Sequence, residues 1–499
     1  MERLSINLAD YGFAQNQDGL HMGAGSMENV AALNKALEAE QITGRDTTNL
    51  TTASGAPLKV ESLEKTLKHL TFRESDIRLW KDLPKKPAYN TVEEYNQQTS
   101  YGQNRGGWNR EGELPEEEDS IFVRRAQLVK YLGVTKSVTH QMTLVNTMVG
   151  SVMERTIKDG TMWILRTLNQ GLYFGNENIV PEQFNGFLAQ QMQSDAWGSY
   201  DEYMSSEHVV DLRGSVLTED AIESGANSIV ENYGLGTQIY AAPAVLSNFV
   251  KNFYGNKFIQ PNTTALSAGI MGQKVVAFDS QFGQIGLNHD VFFKKLPSKT
   301  SSSAATSQKA PATPVWDATT PVAIVSNVAG SKFKTGDAGN VYYAVSAINR
   351  YGESQLAIYS TAAAAVVAGC AVDLKFAAGV GTNAATAYRI YRTKVGGAAT
   401  GEFYPLFEVS VAQLTAGYDG ASAGLVRDMN HFLPDCEQAM LVQFDNEVIE
   451  FAQLAPLMKM DLAVLSPAFR FMILLYGTPF LYAPKKMVRF INVGTTIPA

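Results

Sequence analysis

The sequence predicts an α+β host domain interrupted by an all-β sandwich. Three observations predict it. Over residues 179–299, helical patterns such as "LTEDAIESGANSIVENYG" alternate with short apolar runs such as "TQIYAA". The composition then shifts to a Ser/Ala/Thr/Pro tether, "PSKTSSSAATSQKAPATPVWDATTP", followed by many short strands between turn clusters. From residue 432 the Met-, Leu- and aromatic-rich style of the first region returns, so the β module reads as an insertion in a loop of the host.

Residues 1–70 are polar and rich in Gly, Asn and Thr, and read as an arm that orders only against neighbours. One helix is expected in "SMENVAALNKALEAE", with Ser26 as cap, Glu28 in its first turn and Gly44 beyond its end. A second short one is expected in "SLEKTLKHL". Residues 71–140 alternate extended, charged and Gly-rich pieces. Strands are expected at "SIFVRRAQLVKYL" and "VTKSVT", with a polar tip between them and "AYNTVEEY". A two-stranded ribbon of this composition has no core of its own, so it is expected to lie on another surface.

Val145, Met148, Val149, Val152, Ile157, Ile164, Leu168 and Leu172 keep near-helical spacing, and Gly175 and Asn176 supply a stop. They predict a helix over 146–174, about 43 Å long at about 1.5 Å per residue. Further on, Thr218 is the expected cap and Gly234 the stop of a helix whose stripe is Ile222, Ala226, Ile229 and Tyr233. "PAVLSNFVKNFYG" predicts a helix opened by Pro243 and closed by Gly255, with Leu246, Phe249, Val250 and Phe253 inward. Strands are expected at "QKVVAFDS" and "DVFFKKL". The module at 322–420 offers "PVAIVSNVA", "VYYAVSAINRYGES", "QLAIYST", "CAVDLKFAA", "TAYRIYRT" and "FYPLFEVSV".

The totals exclude several function classes. Net charge is −8, which argues against a dedicated phosphate-backbone binder but not against a protein that surrounds nucleic acid. The N-terminal sequence has no secretory apolar region, and "PAFRFMILLYGTPFLYAP" is broken by Arg470, Gly477 and Pro479, so a soluble protein with no membrane partner is expected. Cys370 and Cys436 stand alone and give neither a disulfide framework nor a metal pair. "GASAG" matches a GxSxG pattern around Ser422, with Asp428 and His431 behind it, but in a sandwich exit loop without the required strand and helix; a flexible exit linker is expected. His431, Asp435, Cys436 and Glu437 crowd together, yet the other histidines are scattered and no HExxH pair exists. No phosphate-cradling glycine loop is present. The expectation is a protein without catalytic residues, cofactor or metal.

The order of parts, a polar arm, a charged ribbon, a long helix, an α/β region and a final segment ending "LYAPKKMVRFINV", resembles the major capsid proteins of tailed double-stranded-DNA bacteriophages, the Hong Kong 97-type fold. The resemblance covers roughly residues 60–300 and 432–499, and rests also on "GGWNREGELPEEEDSIFVRRAQLVKYLGVTKSVTH" and "LAPLMKMDLAVLSPAFRFMILLYGTPFLYAPKK". The middle module looks like a fibronectin-III or immunoglobulin-like domain, although "YYAVSAINRYGES" resembles a late strand of such domains and precedes pieces that resemble earlier ones.

The resemblance implies an N-terminal arm (1–70), an extended E-loop (71–140), the spine helix of the P domain (141–178), P and A domains (179–300), the inserted sandwich with its linkers (301–431) and a return through both host domains (432–499). It implies self-assembly into hexamers and pentamers of an icosahedral phage head that encloses DNA without reading its sequence. Scaffold, portal and decoration proteins would be partners, and the location would be the virion after synthesis in the host cytoplasm. The candidate inter-subunit contacts are Arg105, Trp108, Arg110, Glu116, Glu117, Glu118, Arg124 and Arg125, at and beside the ribbon tip. The tip "TSYGQNRGGWNREGE" contains no lysine, so the covalent cross-links of some such shells are not expected. Two other classes remain open: a phage tail, sheath or adhesin protein, and a carbohydrate-active enzyme with an accessory sandwich.

Overall fold

A computed structural model describes residues 71–102, 108, 110–114, 117, 119–145, 151–191, 208–256, 275–294, 296–463 and 466–495. The two arm helices expected before residue 71 lie outside them.

A six-stranded sheet runs in the order Val209–Asp211, Met487–Gly494, Cys436–Val442, Gln238–Ala241, Gly283–His289, Ala277–Ser280. Every residue of Cys436–Val442 and Met487–Gly494 is buried, the polar Glu437, Gln438, Arg489 and Asn492 included. Helix Glu219–Glu231 lays Ile222, Ala226 and Ile229 on this sheet's core. Thr218 caps it as expected, its Oγ1 accepting from the Ala221 N–H at 3.3 Å. The stop differs: Tyr233, not Gly234, takes the left-handed conformation at φ 62°, and the Gly234 N–H then closes on the Ile229 carbonyl. Helix Pro243–Asn256 buries Val245 and Phe249 against the same core, while Leu246 and Val250 pack at its margin; the Phe253 side chain lies outside the described residues.

"DVFFKKL" is not a strand. The strand is Gly283–His289, just before it. Asp290 is fully buried and makes the turn: Oδ1 accepts from the Phe292 N–H at 2.8 Å, while Oδ2 accepts from Asn169 Nδ2 at 2.8 Å and the Tyr173 hydroxyl at 3.0 Å. With the Leu79 N–H, 3.4 Å from Oδ2, the aspartate serves four donors, which outweighs the strand propensity of the residues after it.

The second host sheet has the order Lys85–Pro87, Ile449–Asp461, Ala468–Leu481, Lys130–Thr139. The long helix covers it. It spans Val152–Phe174 rather than 146–174, because Ser151 ends it: the Ser151 Oγ accepts from the Glu154 N–H. Residues 146–150 lie outside the described ones. Twenty-three residues give a rod about 35 Å long. Gly160 allows its close approach, since a Cβ there would stand 2.8 Å from Ile473 Cδ1.

"SIFVRRAQLVKYL" divides between two sheets. Ile121–Leu128 pairs with Val92–Ser100 in a two-stranded antiparallel ribbon, whereas Lys130–Thr139 joins the four-stranded sheet. Val129 is the pivot; it is buried, and its N–H donates to the Thr91 carbonyl at 2.9 Å. The free ribbon therefore occupies 92–128, less than the expected 71–140.

Residues 297–430 build a β unit around one core. One sheet carries Gly352–Glu353, Tyr343–Asn349, Ala387–Arg392 and Tyr404–Ser410 in that order, with Ala357–Ile358 also on Tyr343–Asn349. A second carries Val322–Val325, Ala371–Leu374 and Val426–Asp428. Tyr343, Val345, Val372, Leu374, Tyr388 and Val426 meet between them. Two expectations are corrected here. The 297–321 tether is ordered along the unit: Val315–Trp316 pairs with Phe376–Ala377, and Trp316 Nε1 donates to the Ala357 carbonyl at 3.0 Å. The exit linker contains a core strand, Val426–Asp428. A helix at Val411–Ala416 was not expected, although Ser410 and Gln413 form a capping box that the S-x-x-Q spacing announces.

Candidate interaction surface

The catalytic and metal candidates separate in space or find other employment. Asp428 accepts from the Tyr343 hydroxyl at 2.8 Å and from Arg392 at 2.6 Å. Its carboxylate is therefore engaged within the β unit rather than with Ser422. His431 faces Asp419 at 3.5 Å. Asp435 pairs with Lys394 at 2.6 Å. Cys370 and Cys436 are buried free thiols. Among the described residues, no group of three His, Cys, Asp or Glu side chains is placed to hold a metal ion, and no helix is long and apolar enough to cross a membrane.

What stands out instead is the ribbon. Its register sets Val92 opposite Leu128, Glu94 opposite Ala126, Asn96 opposite Arg124 and Gln98 opposite Phe122. Period-2 alternation therefore sorts the side chains into two faces. One face, with Tyr95, Gln97, Val123, Arg125 and Gln127, is half-buried. It is latched at its base: Tyr95 packs edge-on against Phe480 at 5.4 Å and Tyr482 at 4.9 Å, and Gln97 Nε2 donates to the Tyr482 carbonyl. Tyr482 is itself held, donating to Glu450 at 2.9 Å and accepting from Lys86 at 2.7 Å. Burial, then the Glu450 hydrogen bond, pushes the Tyr482 hydroxyl far above its ordinary value, so it stays a neutral donor.

The other face points to solvent and is apolar at Phe122 (66% exposed), Leu128 and Val92. Beyond it the tip exposes Tyr101, Leu114 and Trp108, the last at 98%. Exposed aromatic and aliphatic side chains concentrated on a two-stranded projection form a surface that requires a partner.

Of the expected contacts, Trp108, Arg110 and Glu117 are exposed at this tip. Arg124 lies on the outer face and spends part of its charge within the ribbon, 3.3 Å from Glu94 and 3.3 Å from Asn96 Oδ1. Arg125 lies on the inner face and donates to Gln97 Oε1 at 2.7 Å, which removes it from the outward set. Arg105, Glu116 and Glu118 lie outside the described residues. The charged reading missed Val92, Phe122 and Leu128. Their signal was present in the alternation of "VEEY" and "IFVRRAQL", which puts Val92, Phe122 and Leu128 on the face opposite Tyr95 and Val123.

Within the β unit, buried Arg392 joins Asp428 at 2.6 Å and Asn430 Oδ1 at 2.6 Å. The unit meets the host through part-buried polar groups. Arg213 reaches Asp337 at 2.8 Å and the carbonyls of Asn430 and Lys332. Asn492 binds Asp211 and the His431 carbonyl. Burial, then Lys332, holds the His431 imidazole down at about 4. Burial, then Asp428, raises the Asp419 carboxyl to about 6. Inside the unit, burial opposes ionisation of Glu353, but Arg389 and donors from Ser346, Tyr391 and Lys299 keep it below the usual carboxylate value.

No family model matches the chain. Among curated proteins it is similar to the putative major capsid protein of Enterococcus phage phiEF24C, 24% identical over 458 residues that cover 90% of this chain and 93% of that one. It is likewise similar to the major capsid protein of Staphylococcus phage K, 22% identical over 469 residues with the same two coverages. Among solved structures it is similar to the capsid of a native GTA particle (TM-score 0.45, 7% identity, 89% of this chain and 98% of that chain) and to one from Mycobacterium phage Adephagia (TM-score 0.43, 8% identity, 91% and 99%). Over nine tenths of its length, this chain thus aligns with structural proteins of the virion. Its homologues are major capsid proteins of phages.

Proposed function

We propose that this chain is the shell subunit of a tailed phage, a major capsid protein of Hong Kong 97 type that assembles into hexamers and pentamers of an icosahedral head around double-stranded DNA. The ribbon's outward apolar face is the observation that carries the reading. A monomer gains nothing from leaving Phe122, Leu128 and the tip aromatics in water, whereas a neighbour that covers them gains their burial in every copy of the contact. The work of the chain is association without a chemical step. Scaffold, portal and decoration proteins act on the assembled lattice.

Residues 301–431 are, on this reading, an immunoglobulin- or fibronectin-like insertion carried by the host. Their support is the separate core between two β sheets and the return of the chain to the six-stranded sheet at Cys436.

Negative-stain microscopy of the purified chain tests the proposal. Polyhedral particles are expected from the intact chain, and soluble folded subunits without particles when residues 92–128 are replaced by a short turn. Closed particles from that deletion, or a lone monomer from the intact chain under all assembly conditions, would refute it.

A further inference from the structure

We infer that the cleft between the β unit and the end of the long helix seats the acidic ribbon tip, residues 113–120, of a neighbouring copy; this rests on the shell reading above. The cleft encloses about 730 Å³. Its walls are apolar where Phe174 and Ile179 of the host face Leu406 and Phe407 of the β unit; Lys294, Arg350, Arg389 and Arg489 line it against the two acids Glu408 and Asp419, and Arg389 is already bonded to Glu408, so Lys294 and Arg350 are the cations left for a carboxylate. The strand Tyr404–Ser410 forms one wall and is the last in its sheet: it pairs with Ala387–Arg392 on one side, and among the described residues no strand pairs with its other side, although an isolated bridge joins Lys299 to Phe403 just before it. An unpaired edge inside a cleft offers its N–H and C=O groups to an added extended segment. Arg350 contacts Glu182 at 3.4 Å, but both side chains are more than half exposed, so this solvent-screened pair exchanges readily for another carboxylate.

Charge and shape select the occupant. Residues 116–119 are four consecutive acids, and Glu113, Glu117 and Asp119 are exposed around them. Leu114, 90% exposed, is the apolar side chain such a segment carries into the apolar walls. Carboxylates on either side of it match Lys294 and Arg350.

The test is cross-linking in trans. Chains carrying Glu117→Cys and chains carrying Arg350→Cys are co-expressed, and the particles are treated with a short bismaleimide. Cys370 and Cys436 are buried and stay silent. A dimer-mass band on a reducing gel is expected from the mixed particles and from neither variant alone; mixed particles that give only the monomer band overturn the inference. Independently, Lys294→Glu with Arg350→Glu is expected to lower particle yield about tenfold, and Glu113→Lys with Glu117→Lys to restore it. Unchanged yield, or no restoration, overturns the inference while leaving the shell reading in place. Absence of particles from the unsubstituted chain removes the shell reading itself.

Discussion

Replacing Phe122 by Ser separates the two roles a ribbon residue can have. Phe122 sits on the outer face with 66% of its surface free. A phenylalanine presents roughly 200 Å², so about 130 Å² waits to be covered. At about 25 cal/mol per Å² its burial in a contact contributes about 3 kcal/mol, which Ser forfeits. That is a loss of about 100-fold in the association constant of each ribbon contact. The folded subunit loses little, because the side chain touches solvent rather than core; about 0.5 kcal/mol bounds the effect. Light scattering across a concentration series reads the assembly threshold, and thermal melting of the unassembled subunit reads the fold. The threshold is expected to rise by about two orders of magnitude with an unchanged melting temperature. An unmoved threshold would refute the assignment of this face to a partner. A melting temperature lowered by several degrees would show that Phe122 stabilises the subunit instead.

Three further outcomes follow from the geometry. Arg392→Met leaves Asp428 buried with its cation gone and is expected to cost the β unit about 3–5 kcal/mol, seen as faster hydrogen exchange across 322–428 with the host strands unaffected. His431 titrates near 4, so as pH falls from about 6.5 the unfolded chain binds a proton the fold refuses, and acid costs stability. Asp419 titrates near 6, so over the window from 6 down to about 3.8 the fold binds a proton the unfolded chain refuses, and acid adds stability. The two effects oppose each other between about pH 4 and 6. Asp419→Asn suits that residue's φ of 55° and removes only the second effect, so the variant's melting temperature is expected to fall more steeply than that of the parent between pH 7 and 5. Assembled particles boiled in detergent are expected to give one band near 54 kDa, since the tip segment 99–113 carries no lysine; a ladder would contradict this.

Where local chemistry decides, the sequence was readable. Thr218 caps its helix because a threonine hydroxyl ahead of an apolar stripe has an orphan N–H to accept. The Met- and aromatic-rich style that returns after residue 432 does supply two strands of the host core, Cys436–Val442 and Met487–Gly494, both buried throughout. Where a distant residue decides, the sequence was silent. "DVFF" has the composition of a strand, and the local bond from the Phe292 N–H to Asp290 is joined by Asn169 and Tyr173, more than a hundred residues earlier, which hold the buried carboxylate in its turn. The tether around residues 297–321 has a linker's composition, yet Trp316 finds the Ala357 carbonyl. At the candidate surface the charges drew attention because they are conspicuous. Arg124 and Arg125 stand on opposite faces of one strand, however, and the distinction between them is a matter of register that a run of residues does not display.

The junction between the β unit and the host explains how a unit with a core of its own can sit in the middle of such a chain. A decorative module needs only two tethers that meet at one edge. This one is held more firmly. Asn430, Asp435 and Asn492 take left-handed backbone conformations that Asn and Asp tolerate, and Arg213 takes one too, at φ 48°, which an arginine adopts only when its surroundings require it. The side chains of Arg213, Asn430 and Asn492 then cross the boundary or brace it. An apolar boundary of the same size would hold the module at least as strongly, because burying Arg213 and Asp337 carries a desolvation cost. What the polar boundary adds is direction, since each donor has one acceptor and a rotated module would leave several buried groups without partners. A fixed direction keeps the cleft beside Leu406 and Phe407 at one width in every copy. A lattice built from identical contacts requires that uniformity.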